Sequence, residues 1–221
     1  MNVLGLDSAT SESVACVLRS DGSAFEGRAT GPGEFDRPGH ARDLMPAAVD
    51  ALGAAGLSLR ELDAIAVGVG PGSFTGLRVG IATARGLARG AGLELRPVSS
   101  LAALAAGIEA QLALPLIDAG RGELFVAVFE DGVEREPAFS ATPEAIGALL
   151  AKGGLHPLAA GNGSVRFRQR LEAAGVRLAP ADSPAHRITG HDVCRVGSSA
   201  APTAPEAVLP NYLREPDAKP R

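Results

Sequence analysis

The chain has no tryptophan and one tyrosine, aromatic residues make up 4% of its 221 positions, and its net charge is −4. A stand-alone nucleic-acid binder needs a positive field for phosphates and flat rings for bases, and this composition supplies neither. Any contact with RNA is therefore expected to lean on a partner. Cysteine is scarce as well. Cys16 and Cys194 lie far apart in sequence, and Cys16 sits in the apolar run Val14 to Leu18, where a small buried hydrophobe belongs. A disulfide framework is not expected, which favours a reducing compartment. No stretch approaches the roughly eighteen uncharged apolar residues of a membrane span. Met1 to Leu6 runs straight into Asp7 without a basic leader, so a cytoplasmic protein is expected.

The four histidines do not form a metal site by spacing. His186 and His191 are five apart, whereas two ligands on one helix face need separations of three or four. His40 opens an amphipathic segment and reads as a surface or capping residue. No Gly-x-Ser-x-Gly elbow occurs, so a serine hydrolase has little support, and no catalytic or metal-ligating residue is assigned.

What the chain does have is a pattern used twice. Extended segments at Asn2 to Leu6, Ser13 to Ser20 and Ala24 to Ala29 open it, the last two joined across Asp21-Gly22, a hairpin signal. Apolar residues then recur at helical spacing from His40 to Leu52, Ala64 to Val69 reads as a buried strand, and a helix is predicted over Ser73 to Ala91. Leu4-Gly-Leu-Asp7, a polar turn, Val14 to Leu18 and Asp21-Gly22 parallels Leu116-Ile-Asp118, a glycine turn, Leu124 to Phe129 and Asp131-Gly132. Two lobes on one plan are the simplest inference, and the order of elements makes the class α/β. In the second half a helix is predicted from Thr142, a strand over Pro157 to Ala160, and a helix after Gly163 carrying Arg166, Arg168 and Arg170. That basic run reads as a solvated face or, less readily, as an RNA phosphate contact. Asp182 to Thr189 reads as a linker, Gly190 to Ser199 as a short helix, and the proline-rich remainder has no pattern of its own.

Gly68-Val-Gly-Pro-Gly-Ser-Phe-Thr-Gly-Leu-Arg78 leaves an apolar strand and enters a helix. Such a turn can aim backbone N–H groups and a positive helix end at an anion. It lacks the lysine of a P-loop. As a dinucleotide fingerprint it places Ser73 where the third glycine belongs, behind an antiparallel meander that a Rossmann half would not have. A tight turn with Ser73 as N-cap and an anion site remain equally open on residue types. In the helix beyond, Phe74, Leu77 and Ile81 form an apolar stripe beside a ridge of Gly76, Gly80, Ala84 and Ala88, which suits either packing within the chain or a subunit interface. Asp7 and Asp118 both end apolar strands before small turn residues. Each reads either as a cap of local N–H groups or as one of two carboxylates flanking a magnesium-phosphate site.

Gly70-Pro-Gly-Ser-Phe-Thr-Gly-Leu-Arg78 resembles the signature loop of the TsaB (YeaZ) family. Leu6-Asp7-Ser-Ala-Thr10, His40 with Leu44-Met-Pro46, Asp118-Ala-Gly-Arg-Gly-Glu123 and Leu209-Pro-Asn-Tyr-Leu-Arg214 match in the family's order. The resemblance implies a two-lobed actin-like ATPase fold, related to ribonuclease H, with residues 1–100 and 191–215 forming one lobe, 101–190 the other and 216–221 a tail. It also implies a non-catalytic subunit in tRNA threonylcarbamoyladenosine formation, which pairs with a TsaD-like catalytic paralogue, works with a TsaE-like ATPase and can self-associate. tRNA would be met through the complex. No cofactor is expected to be tightly bound, and ATP or ADP with magnesium would belong to the complex interface, with Asp7, Thr10, Gly72, Ser73 and Asp118 as contact candidates. Leu44, Met45, Val49, Phe74, Leu77 and Ile81 are the candidates for the docking face. The alternative is an ATP- and magnesium-dependent ATPase or phosphotransferase built on Asp7 and Asp118.

Overall fold

Strand β1 (Val3–Asp7) is buried along its whole length, yet its two faces go to different places. Val3 packs with Cys16, whereas Leu4 and Leu6 pack on the other side with Ala15 and Val17. The alternation is the period-two pleat of a strand covered on both faces. In this computed structural model, which describes residues 1–28 and 39–214, β1 pairs antiparallel with β2 (Val14–Leu18), and β2 with β3 (Ala24–Gly27). The β2–β3 turn is the one expected: Gly22 has φ of 87° and Asp21 accepts from the N–H of Ser23 at 2.9 Å. The last part of the segment predicted over Ala24 to Ala29, and the His40 side chain, lie outside the described residues.

Helix α1 (His40–Ala55), β4 (Ala64–Gly70), α2 (Phe74–Ala91) and β5 (Leu95–Ser99) follow, giving a sheet ordered β3-β2-β1-β4-β5 with β4 and β5 parallel to β1. After α3 (Ser100–Ala106) the plan repeats. β6 (Leu112–Gly120), β7 (Glu123–Glu130) and β8 (Val133–Ala141) form an antiparallel meander. Then α4 (Pro143–Gly153) leads to β9 (Leu158–Ala160), which lies parallel to β6 in the order β8-β7-β6-β9. The registers correspond: Asp7 lies opposite Val14, and Asp118 opposite Leu124. Duplication, read from two aspartate-ended hairpins, is therefore visible in strand order, direction and register.

The helices sort into layers. Leu44, Ala48, Ile81, Ala84 and Ala88 of α1 and α2 cover one face of the first sheet with Leu4, Leu6 and Val67. Between the sheets, Leu101 and Leu104 of α3 and Val193 and Cys194 of α7 (Gly190–Ser199) meet Val3, Ala66, Ile117 and Phe125. Ile146 and Leu150 of α4 cover the far face of the second sheet, with Leu171 from α6 (Arg168–Ala173).

Several elements differ from expectation. The single helix predicted to carry the three arginines is broken at Phe167 into α5 (Asn162–Arg166) and α6. The 182–189 segment is not a loose linker: it contains a 3-10 turn, Pro184–His186, and buries His186 and Ile188. The patternless C-terminal stretch is fastened down. Thr203 and Leu95 exchange backbone hydrogen bonds of 2.8 and 2.9 Å, which pairs the open edge of β5.

Candidate functional site

The glycine-rich turn closes on the chain's own β1–β2 hairpin. The Ser73 N–H donates to the Ala9 carbonyl at 2.7 Å, and the Ser8 hydroxyl donates to the Gly76 carbonyl at 2.8 Å. The approach is so close that a methyl group on Gly76 would lie 1.9 Å from the Ser8 carbonyl oxygen, and one on Gly72 would lie 2.4 Å from that of Ala9. Ser73 caps α2, its hydroxyl accepting from the Gly76 N–H at 3.2 Å. Of the two readings of this turn, the cap is built. N–H groups of Ser73 and Gly76 that an anion would use are already satisfied.

Asp7 is fully buried beneath the same turn. One carboxylate oxygen accepts from the Ala9 N–H and the other from the Ser100 hydroxyl, both at 2.7 Å. Gly68 leaves room for the second oxygen, where a Cβ would come within 1.8 Å. Burial holds this carboxyl above its ordinary range, against the pull of those two hydrogen bonds. Thr10 sits half-buried beyond the hairpin, with Gly72 half-buried and Ser73 exposed. Asp118 has equivalent employment in the second lobe: it accepts from the Gly120 N–H at 2.9 Å and from Arg166. Of the two readings open for these aspartates, the cap of a local N–H group is seen at both, with an ion pair added at Asp118.

The basic run is similarly committed. Arg166 pairs with Asp118, Arg168 with Glu172 at 3.1 Å, and Arg170 with Glu144 at 2.8 Å. Hydrogen bonds from Arg170 hold the Glu144 carboxyl down to about 2.

Sequence reading missed a serine-histidine pair. Ser164 Oγ lies 3.0 Å from His186 Nδ1, which also accepts from the Gly161 N–H at 3.2 Å, while Nε2 faces the Pro180 carbonyl at 2.8 Å. Both residues are buried, and the Ser164 hydroxyl donates to the Gly161 carbonyl at 2.7 Å, so the pair fastens the 180–186 segment rather than presenting a nucleophile. The 22 residues of separation explain why spacing gave no hint of it. A cleft of about 360 Å³ beside Glu26, Arg187, His191 and Asp192 also went unforeseen. There Glu26 accepts from the His191 N–H at 2.8 Å, at the start of α7. Among the described residues no group of three or more His, Cys, Asp or Glu is placed to hold a metal ion. No helix among them is long and apolar enough to cross a membrane.

The docking-face candidates divide. Leu44 and Ile81 are buried in the layer between the helices and the first sheet, and Leu77 is buried as well. They are core residues, which corrects their assignment to an outward face: the stripe turns toward the sheet because that is where its apolar area is covered. Met45, Val49 and Phe74 remain exposed at 43%, 62% and 36%. They project from α1 and from the first turn of α2, two helices that pack together.

Comparisons agree with this geometry. The family model described as TsaD, tRNA N6-adenosine threonylcarbamoyltransferase, matches residues 34–218. The Escherichia coli tRNA threonylcarbamoyladenosine biosynthesis protein TsaB is 38% identical over 134 residues, 59% of this chain, and the chain spans about half of that relative's length, 55%. An uncharacterized protein of Mycobacterium bovis is 33% identical over 220 residues, covering 99% of this chain and 94% of the relative. The solved structure of YeaZ from Pseudomonas aeruginosa superposes with a TM-score of 0.75 at 27% identity, over 96% of this chain and all of that one, 100%. Two copies of one mixed-sheet plan, with Asp7 ending β1 and Asp118 near the end of β6, define the α/β actin-like class. Within that class the chain belongs to the TsaB (YeaZ) family.

Proposed function

We propose that the chain is a non-catalytic subunit of the machinery that forms threonylcarbamoyladenosine in tRNA, docking a TsaD-type transferase through the exposed face of α1 and α2. The observation that carries this reading is a contrast. Asp7 is turned inward and Asp118 is engaged by Gly120 and Arg166, whereas Met45, Val49 and Phe74 are left uncovered. Exposed apolar side chains on two helices that pack together are what an association surface can be built from. In this reading ATP is turned over by a TsaE-like ATPase, any ADP and magnesium belong to the assembled interface, and tRNA is held by the complex in the cytoplasm. The same face serves a second copy of this chain when the transferase is absent. The ATPase or phosphotransferase alternative is disfavoured by the closed hairpin above Asp7.

Reconstitution tests it. Unmodified tRNA is incubated with threonylcarbamoyl adenylate and either this chain, the transferase, or both, and the modified nucleoside is measured by mass spectrometry. The chain alone should yield none and should raise the yield of the transferase at least about tenfold. Modification or steady ATP hydrolysis by the isolated chain would overturn the reading.

A further inference from the structure

Phe74 is the aromatic residue of the exposed face, and it is gripped from two directions. The Arg78 guanidinium lies 3.8 Å from the centroid of its ring, a cation–π contact from the next turn of the same helix. Tyr212 brings its own ring to 5.1 Å at an angle of 31°, and its hydroxyl accepts from Nε of Arg78 at 3.0 Å. Each of the three side chains therefore touches the other two, although Tyr212 lies 134 residues beyond Arg78.

Tyr212 is itself held from both sides. Before it, Val208 is buried, Arg85 donates to the carbonyls of Glu206, at 3.2 Å, and of Val208, and the Asn211 N–H donates to the Val69 carbonyl at 2.7 Å. After it, Arg214 donates to the Ala119 carbonyl at 3.1 Å and to Glu123 at 3.3 Å. The segment 208–214 is thus a strap running from the end of β4 to the glycine turn of the second lobe, with Tyr212 at its middle. A phenylalanine one-third exposed and otherwise unsupported would lose rotamer freedom each time a partner bound. Here that freedom is already restricted.

We infer that Tyr212 is a positioning residue for partner docking: it fixes Phe74 and Arg78 in one arrangement, so that the apolar edge offered to the transferase is preorganised. This inference rests on the docking reading above. The partner concerned is the TsaD-type paralogue of that reading, because Phe74, which Tyr212 holds, is one of the exposed apolar side chains on which the reading rests.

The test is a double-mutant cycle with the full-length chain and the purified transferase, reading dissociation constants and thermal midpoints. Tyr212→Ala should weaken binding about three- to tenfold, the scale of ordering one side chain, with a midpoint within about 2 °C of wild type. Tyr212→Phe, which keeps the ring and loses the bond to Arg78, should weaken it less and guards against misfolding of the alanine variant. Phe74→Ala should weaken it by about tenfold or more. Adding Tyr212→Ala to Phe74→Ala should then cost nothing further, because Tyr212 acts through Phe74. Additive losses, or wild-type affinity in both Tyr212 variants while Phe74→Ala still weakens binding, would sink the positioning role and leave the docking face standing. Wild-type affinity in Phe74→Ala would remove Phe74 from the docking face and the positioning role with it.

Discussion

Asp7 is a carboxylate whose every visible partner is internal. Its burial raises its pKa above the value of about 3.9 that an unfolded aspartate has. Between those two values the folded state binds more protons than the unfolded state. The stability this group contributes is complete below the unfolded value and is lost as pH rises through the folded one. An asparagine side chain at this position could keep both hydrogen bonds, accepting from the Ala9 N–H and donating to a Ser100 hydroxyl that then accepts. Asp7→Asn is therefore expected to be at least as stable as wild type at pH of about 7 to 8, and thermal midpoints measured from about pH 4 to 8 should show a flatter profile. Asp7→Ala should lose about 1–3 kcal/mol by leaving buried donors unpaired. If Asp7 instead held magnesium, ATP with magnesium would raise the wild-type midpoint and not that of Asp7→Asn. At this scale the sequence placed both aspartates at strand ends but could not tell a cap from a metal ligand. The difference lies in Gly68, Ser100 and Arg166, which reach those carboxylates across the fold.

The glycine-rich turn and α2 show what can be read in an element and what cannot. Periodicity located α1 and α2, and the cap at Ser73 followed from residue type. The ridge of Gly76 and Gly80 looked like a helix-packing groove, and Phe74, Leu77 and Ile81 looked like one face. Tertiary context decided both: Gly76 and Gly80 meet the Ser8 turn, and Leu77 and Ile81 are core. Three elements gave no usable signal. β5 contains Arg96-Pro97, which interrupts an apolar run and is tolerated because β5 is an edge strand. β8 is an exposed edge carrying Glu134, Arg135 and Glu136. α3 is a short, nearly all-apolar segment with its charged flanks missing. The close approach yields a paired prediction in α2. Gly76→Ala must displace a backbone carbonyl and should lower stability by about 2 kcal/mol or more. Gly86→Ala meets nothing within 4 Å and should raise it by about 0.5–1 kcal/mol through helix propensity. Denaturant unfolding of the two variants is the check. Equal effects would mean that the turn does not sit against the hairpin.

Over the whole molecule, duplication was legible because both copies keep the same hairpin pattern in sequence. The layering was not. α7 comes from near the end of the described chain and inserts between the sheets, where Gly190 and Gly197 admit it against Cys16 and Ala66, a contact with no local trace. This architecture leaves one apolar surface of α1 and α2 covered and the other open, and the docking proposal depends on that difference. Titration calorimetry of the chain with a TsaD-type transferase tests it most directly, using Val49→Asp on the open side and Leu77→Asp on the covered side. Leu77→Asp should fail to fold, since an unpaired buried charge costs more than about 4 kcal/mol. Val49→Asp should keep the wild-type thermal midpoint within about 2 °C and weaken binding about a hundredfold, or ~3 kcal/mol. A folded Val49→Asp chain that binds the transferase with wild-type affinity would contradict the account.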